Sequence, residues 1–580
     1  MMINKSGLIH NFIKGMLWIV LLYAGYFCMT SSLIEPDLRA DMYAMYVVPI
    51  KNHPFLSILY VLMTAFFVYI NVKKKQDKKS CVIGGMSIFW LLFGLYCIRE
   101  VTFLNENIRV SFVFLLISLM ALMTLSVFIT YIHKFSVYTF YFLVLISLGT
   151  IYYLAILPWS APDAWRHMAA TYRFSNIVLQ ENEWSGRKID SDFFENVWMK
   201  YLSPNRSGYK AAVSNINQKV NTEKTEELSI TDEAMECYSF VSYIPLITGV
   251  VLGRVLRFNT IWLAYLAKLF MFLFYTVGVY VAIRTIPKLK YVMAMIAVLP
   301  ISLMYSSGFS YDGMVIITTF NFIACVLSLN EEYSQRKMIM LLMWTFLMTA
   351  TKGGGYIILL TLIFVLKNQR FHIMMILATA LLSLFLFNDF LYTDKPMFQM
   401  NYLKEGYLST SFAFEHPFLY VKMVFYMYVN RFSYILYTML GARLGWPILT
   451  GVFPTIPPMV ILLLFILLLI VCFREGLEIR EGMKYNFILF LTLLIASVTV
   501  PALLLRETKI GAQAVFGIQG RYYLPFLPVF MFFIAGFVRR LPCQFQKIIE
   551  KIDINAVLCL YITILYVSAG CMMITFLRAA

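Results

Sequence analysis

The stretch that decides the fold runs from Ser136 to His167, where an apolar segment, Ser136–Leu157, opens into Pro158-Trp159-Ser160-Ala161-Pro162-Asp163-Ala164-Trp165-Arg166-His167. An apolar run of this length crosses a hydrocarbon core of about 30 Å as a helix, because lipid offers its backbone groups no partners. The polar sequence that follows therefore begins at a membrane face. Asp163, set behind a proline at that exit, is the strongest candidate for chemistry in the chain.

Similar runs recur through most of the 580 residues, and hydrophobic residues make up 61% of the chain against 14% charged. That much apolar surface exceeds what a soluble core hides. The chain reads as an all-α, polytopic membrane protein of about 13–16 transmembrane helices. The formal charge of +17 does not point to nucleic acid, because of where the charge sits. Lys73, Lys74, Lys75, Lys78 and Lys79 lie between two spans and Arg539 and Arg540 follow another, positions at which basic residues retain loops in the cytoplasm. The nine cysteines show no paired spacing, so neither a disulfide framework nor a zinc site is expected. Lys5 and Lys14 accompany an apolar run, Phe12–Leu33, that is too long for a cleaved signal, which predicts an uncleaved first span.

Charge alternation orders the rest into three parts: an N-terminal four-helix membrane extension (1–135), a membrane module (136–538), and a C-terminal cytoplasmic turn with a last transmembrane helix (539–580). The extension holds spans near Phe12–Leu33, Phe55–Val72, Cys81–Cys97 and Val110–Ile132. His133-Lys134 marks a cytoplasmic turn, so the loop 158–237 falls outside. That loop holds 12 of the chain's 31 acidic residues, as a water-exposed extracytoplasmic element would. Trp165, Met168, Ala169 and Tyr172 recur at helical spacing and predict an interfacial helix over Asp163–Gln180, and Ser203–Gly208 reads as a turn. Tyr238–Leu256, broken by Pro245, Gly249 and Gly253, reads as re-entrant or interfacial. Thr260–Ile283, Tyr291–Ser307 and Gly313–Leu329 follow as spans. Met338–Leu366, interrupted by Thr351-Lys352-Gly353-Gly354-Gly355, reads as two short helices.

Several polar residues stand out against this apolar background. Arg166 and His167 lie one helical turn beyond Asp163, where side chains three and four positions apart meet. A carboxylate so placed can take a proton from an attacking hydroxyl while the basic neighbours keep it ionised. Asp312 follows Ser306-Ser307-Gly308 on the same face by alternation, and Lys352 sits in a glycine-rich break whose amides can face an anion. Lys268 lies inside a span, where a charge is costly enough to be read as functional. Arg521, within Gln519-Gly520-Arg521-Tyr522, opens an inward-running span at headgroup depth, placed to hold a lipid phosphate.

Taken in order, Pro162-Asp163 with His167, Tyr243-Ile244-Pro245 through Gly253-Arg254, Ser310-Tyr311-Asp312, Lys352-Gly353, Leu444-Gly445-Trp446 and Gln519-Gly520-Arg521-Tyr522 carry a resemblance. From Ser136 to Val538 the chain resembles an uncharacterised family of bacterial polytopic membrane proteins related in architecture to the GT-C glycosyltransferases. The resemblance implies a polyprenyl-phosphate-linked sugar as donor and an acid in the first extracytoplasmic loop that deprotonates the acceptor, here Asp163. Relatives commonly carry Asp-Glu where this chain has Asp163-Ala164, so a single carboxylate is expected to act, without metal or other cofactor.

The expected activity is transfer of a sugar to a cell-surface glycan or other cell-envelope acceptor at the outer face of the cytoplasmic membrane. Asp163 is the general base, oriented by His167 and Arg166. Lys268, Asp312, Lys352, Arg521, Gln519 and Tyr522 form the substrate and lipid-phosphate side, where departure of a phosphate calls for positive charge. Three other classes stay open: a flippase or transporter for a lipid-linked glycan, which calls for mid-membrane ionisable groups and repeated halves; a polysaccharide polymerase; and a non-catalytic assembly partner.

Overall fold

A computed structural model describes residues 136–196, 206–220, 223–226, 239–366, 370–387, 406–444, 456–480 and 482–578. The four spans expected before Ser136 lie outside the described residues. The first helix, α1 (Val137–Ala155), starts where the Ser136 hydroxyl accepts the Thr139 N–H at 3.1 Å, a side-chain N-cap. The polar segment after it folds into α2 (Ala164–Val178), α3 (Lys188–Asn196) and α4 (Arg206–Asn215). Its strands β1 (Gly186–Arg187) and β2 (Lys224–Thr225) pair antiparallel, a small departure from the purely helical expectation. Arg206–Asn215 is helical as well, so Arg206, Ser207 and Gly208 of the expected turn Ser203–Gly208 lie in a helix, and 203–205 lie outside the described residues.

Next come α5 (Phe240–Val255) and α6 (Thr260–Thr285), a tightly packed pair in which a Cβ on Gly249 would lie 2.4 Å from the Ala267 Cα. Asn259 caps α6 by accepting the Trp262 N–H at 3.1 Å, and its amide donates to Ile216 O at 2.9 Å, which fastens the end of α4 to the start of α6. The expected single span Tyr291–Ser307 is instead two helices, α7 (Lys290–Ala297) and α8 (Pro300–Ser307), bent by 62°. Pro300 explains the break, because it lacks an N–H and its ring obstructs a continuous helix.

Helix α9 (Asp312–Glu331) is the centre of the molecule, with every residue from Asp312 to Leu329 buried. Asn321 donates from α9 to Gly278 O on α6 at 2.8 Å. The interrupted segment foreseen at Lys352 is present: α10 (Gln335–Ala350) ends in a left-handed turn, and a 3-10 helix over Ile357–Val365 follows. Peripheral helices α11 (Arg370–Phe387), α12 (Phe412–Glu415) and α13 (Pro417–Leu440) come next, with Phe371 and Phe418 among their exposed apolar side chains. Then come α14 (Pro458–Gly476) and α15 (Met483–Ala502), both packed against the later helix over Leu527–Ala535. A 3-10 helix over Gly520–Phe526 leads into α16 (Leu527–Ala535), and α17 (Cys543–Glu550) and α18 (Ile554–Arg578) are the last helices among the described residues.

Among the described residues, eight helical segments are long and apolar enough to cross a membrane, or nine if α7 and α8 form one bent span. The chain is a helical membrane protein.

Candidate functional site

Four elements bring charge together at one place. Asp163 comes from the turn after α1 and Asp312 from the first residue of α9. Lys352 comes from the break after α10, and Arg521 from the 3-10 helix over Gly520–Phe526. Arg521 stands between the two acids, with Nη2 3.5 Å from Asp163 Oδ2 and Nη1 3.8 Å from Asp312 Oδ2. Lys352 Nζ approaches Asp312 Oδ1 at 3.3 Å. In an apolar surround, such charges persist only when they compensate one another, and here two carboxylates face two cations.

The two acids differ in environment. The Asp312 side chain is 11% exposed and held by both cations, whereas that of Asp163 is 33% exposed and meets Arg521 alone of the two. Asp312 also begins a helix, where a negative charge is favoured, and its N–H donates to the Ser310 hydroxyl at 3.1 Å. Asp163 has the freedom that Asp312 lacks.

Local backbone geometry supports the placement. Asp163 has φ 58°, and Lys352, Gly353 and Gly354 follow one another at φ 51°, 58° and 72°. Glycine adopts this left-handed region readily, but a side-chain-bearing residue there costs roughly 1 kcal/mol or more. Two members of the ionic cluster thus hold strained backbones, as do Gln180, Arg257 and Leu289 away from it. The Ser242 hydroxyl accepts the Lys352 N–H at 2.9 Å and fixes the break to α5. Arg521 is held by close packing next door: a Cβ on Gly520 would lie 2.1 Å from both Ile435 O and Met439 N, so only glycine admits α13 here. The Gly520 N–H donates to the Thr438 hydroxyl at 2.9 Å.

Aromatic side chains wall the cluster. Lys352 Nζ lies 4.9 Å from the Tyr311 ring, 5.0 Å from Tyr522 and 5.9 Å from Tyr356, within the range of cation–π attraction. Arg521 donates to the hydroxyls of Tyr305 and Tyr522, each at 3.3 Å. Tyr305 and Tyr356 carry no distinguishing signal in a chain with 38 tyrosines. Tyr243 and Tyr311 each had a cue, their places in Tyr243-Ile244-Pro245 and Ser310-Tyr311-Asp312.

The remaining sequence candidates fall elsewhere. His167 is buried, with Nδ1 3.3 Å from the Tyr243 hydroxyl and its ring edge-on to Tyr311 at 4.5 Å, so its side chain lines the aromatic wall, while its N–H donates to Asp163 O at 3.2 Å. Burial pushes the imidazole down to about 4 against the opposing pull of Asp163 and Asp312, which leaves it neutral at pH 7. Arg166 is exposed and its guanidinium lies 6.0 Å from the Trp165 ring. Gln519 is half-buried and contributes its carbonyl, which accepts the Tyr522 N–H at 3.2 Å.

Lys268 has a different task from the one its sequence position implied. Its ammonium donates to Tyr153 O at 2.7 Å and to Ile156 O, and the Tyr153 and Tyr265 rings flank it at 5.0 Å each. It closes the carbonyl end of α1, where a helix dipole favours a cation, and so secures the turn that carries Asp163.

A second ionic network, unforeseen from the sequence, lies in the polar segment. Asp190 accepts from Arg187 Nε at 2.7 Å, Tyr172 at 2.7 Å and Thr260 at 2.6 Å. Arg254 donates to Ser175 at 2.7 Å and to Asn176 and Glu181 at 2.6 Å each. Burial alone would lower Arg187; Asp190 outweighs it and holds the guanidinium above its ordinary value. These bonds join α2, α3, α5 and α6, and so fix the segment that begins at Asp163.

The family model described as "Predicted membrane protein (DUF2142)" matches residues 145–530, more than half of the chain and all four charged residues of the cluster. The chain belongs to this family. No curated protein and no solved structure matches the chain. The family description agrees with the fold, and the chemistry rests on the cluster itself.

Proposed function

We propose that this family member is a membrane glycosyltransferase of GT-C type, with Asp163 as general base. It would move a sugar from a polyprenyl-phosphate donor to a cell-surface glycan or other envelope acceptor, at the outer face of the cytoplasmic membrane. The observation that carries this reading is the unequal pair of carboxylates around Arg521: one locked between two cations, the other partly open and held by one. A locked acid keeps cations in place, and an open acid is free to exchange a proton.

In the proposed step, the acceptor hydroxyl loses its proton to Asp163 as its oxygen bonds to the anomeric carbon of the donor sugar. The bond from that carbon to the phosphate oxygen breaks, and its electron pair stays with the phosphate. Arg521 and Lys352 stand where the added negative charge is to be stabilised, and fixed cations away from bulk water are effective at this. Asp312 holds both cations in the resting site. Lys268 acts at a distance, through the end of α1.

Comparison of envelope glycans from cells with and without the chain tests the reading. Loss of one sugar substituent, with the remaining glycan intact, is the expected result. Accumulation of a complete lipid-linked precursor on the cytoplasmic side would contradict it and favour transport.

A further inference from the structure

The contacts of Arg521 are few and long for a buried guanidinium. Its four polar contacts span 3.3 to 3.8 Å, where charge-assisted hydrogen bonds normally close to about 2.7–2.9 Å. Its Nε is buried and has no hydrogen-bond partner among the described residues. The Tyr305 and Tyr522 hydroxyls each accept an Arg521 N–H and donate to no described residue, so both O–H protons remain available. An oxyanion entering here would find guanidinium N–H and two phenolic O–H donors in one place.

Charge balance then decides what must move. Two acids against two cations make the resting cluster neutral, so an arriving anion has to take a cation from one carboxylate. Asp312 is 11% exposed and held by Lys352 and Arg521; if released, it would be left buried and undercompensated. Asp163 is 33% exposed, meets only Arg521 of these cations, and has solvent to receive it. Asp163 is the acid that yields.

We infer that the Arg521–Asp163 contact is a lock opened by the donor: the phosphate of a lipid-linked substrate enters between Tyr305, Arg521 and Tyr522, draws Arg521 away, and frees Asp163 to act as base. The inference rests on the proposed glycosyl transfer and adds an order to it. Donor binding precedes acceptor activation, and the empty site holds its base in check.

The test uses the full chain in detergent micelles, dodecyl phosphate as probe, dodecanol as uncharged control, and binding of both followed by equilibrium dialysis. Carbodiimide-driven coupling of an amine to Asp163, quantified on the peptide by mass spectrometry at fixed pH, reports how open the carboxylate is. Dodecyl phosphate should raise coupling roughly fivefold, the factor set by loss of one partly exposed ion pair, and dodecanol should not. Arg521→Gln should show the raised level with and without the probe. Tyr305→Phe should need more probe for the same rise. Arg521-dependent binding that leaves Asp163 coupling unchanged or lower would overturn the lock and leave the transferase reading standing. Absence of Arg521-dependent binding would overturn the lock together with the phosphate site on which that reading depends.

Discussion

Two arginine–carboxylate networks lie at opposite ends of the same helix, and they are built differently. At one end of α2, Arg254 reaches Ser175, Asn176 and Glu181 within 2.7 Å, and nearby Arg187 grips Asp190 at 2.7 and 3.1 Å while donating to Phe258 O at 2.8 Å. At the other end, Arg521 stands 3.5 Å from Asp163 with one nitrogen idle. The first network is short and saturated, as required of buried charges that only hold structure. The second leaves donors unspent. Burial and charge are common to both, so neither marks function by itself; spare hydrogen-bonding capacity is what separates them.

Substitutions can break that contrast. The largest effect on stability is expected for Asp190→Ala, which strands Arg187 and should cost about 3–5 kcal/mol, read as a fall in the thermal midpoint and in protein level. The apolar pair Arg187→Met with Asp190→Leu should recover much of that loss, since replacing both partners removes the uncompensated charge. A mild effect of Asp190→Ala alone would put the two networks on the same footing.

Acid acts on the two regions unequally. His167 is held neutral with its pKa lowered from 6.5 to about 4, so the folded chain binds fewer protons there than the unfolded chain in that interval. Its contribution is complete above pH 6.5 and is lost as the pH falls toward 4, at most roughly 3 kcal/mol. His167→Phe should flatten that part of the stability profile; an unchanged profile would place the acid response elsewhere.

Asp163→Gly should have the smallest effect on stability. It relieves a left-handed backbone at φ 58° and gives up one partly exposed ion pair, so stability should stay level or rise by up to about 1 kcal/mol, read as an unchanged or slightly higher thermal midpoint. A marked fall would show that Asp163 serves the fold.

Much of the site was legible in the sequence for a physical reason. Charges are scarce at span ends in so apolar a chain, so Asp163, Asp312, Lys352 and Arg521 stood out, and the structure brings these four together. Asp163 precedes α2 in a left-handed conformation, although its carbonyl still accepts the His167 N–H at 3.2 Å. Its side chain therefore does not join the ridge that starts at Ala164. Lys268 misled because a buried charge signals function until its carbonyl partners are seen. Asp190 passed unnoticed because an acid in an acidic loop looks solvated, and only the folded contacts with Tyr172, Arg187 and Thr260 show otherwise. Tyr305 and Tyr356 of the tyrosine wall were hidden by sheer aromatic abundance. For the fold, the span limits of α1, α6 and α9 were readable from length and hydropathy. The bend at Pro300 was not, since an apolar run continues through it.

The most direct measurement is mass-spectrometric composition of the envelope glycan in cells whose only copy of the chain carries Asp163→Asn, alongside wild type at matched protein level. The account predicts loss of the same sugar that is lost without the chain, because an amide of nearly the same shape cannot accept the acceptor's proton. A normally decorated glycan in the Asp163→Asn cells would contradict it.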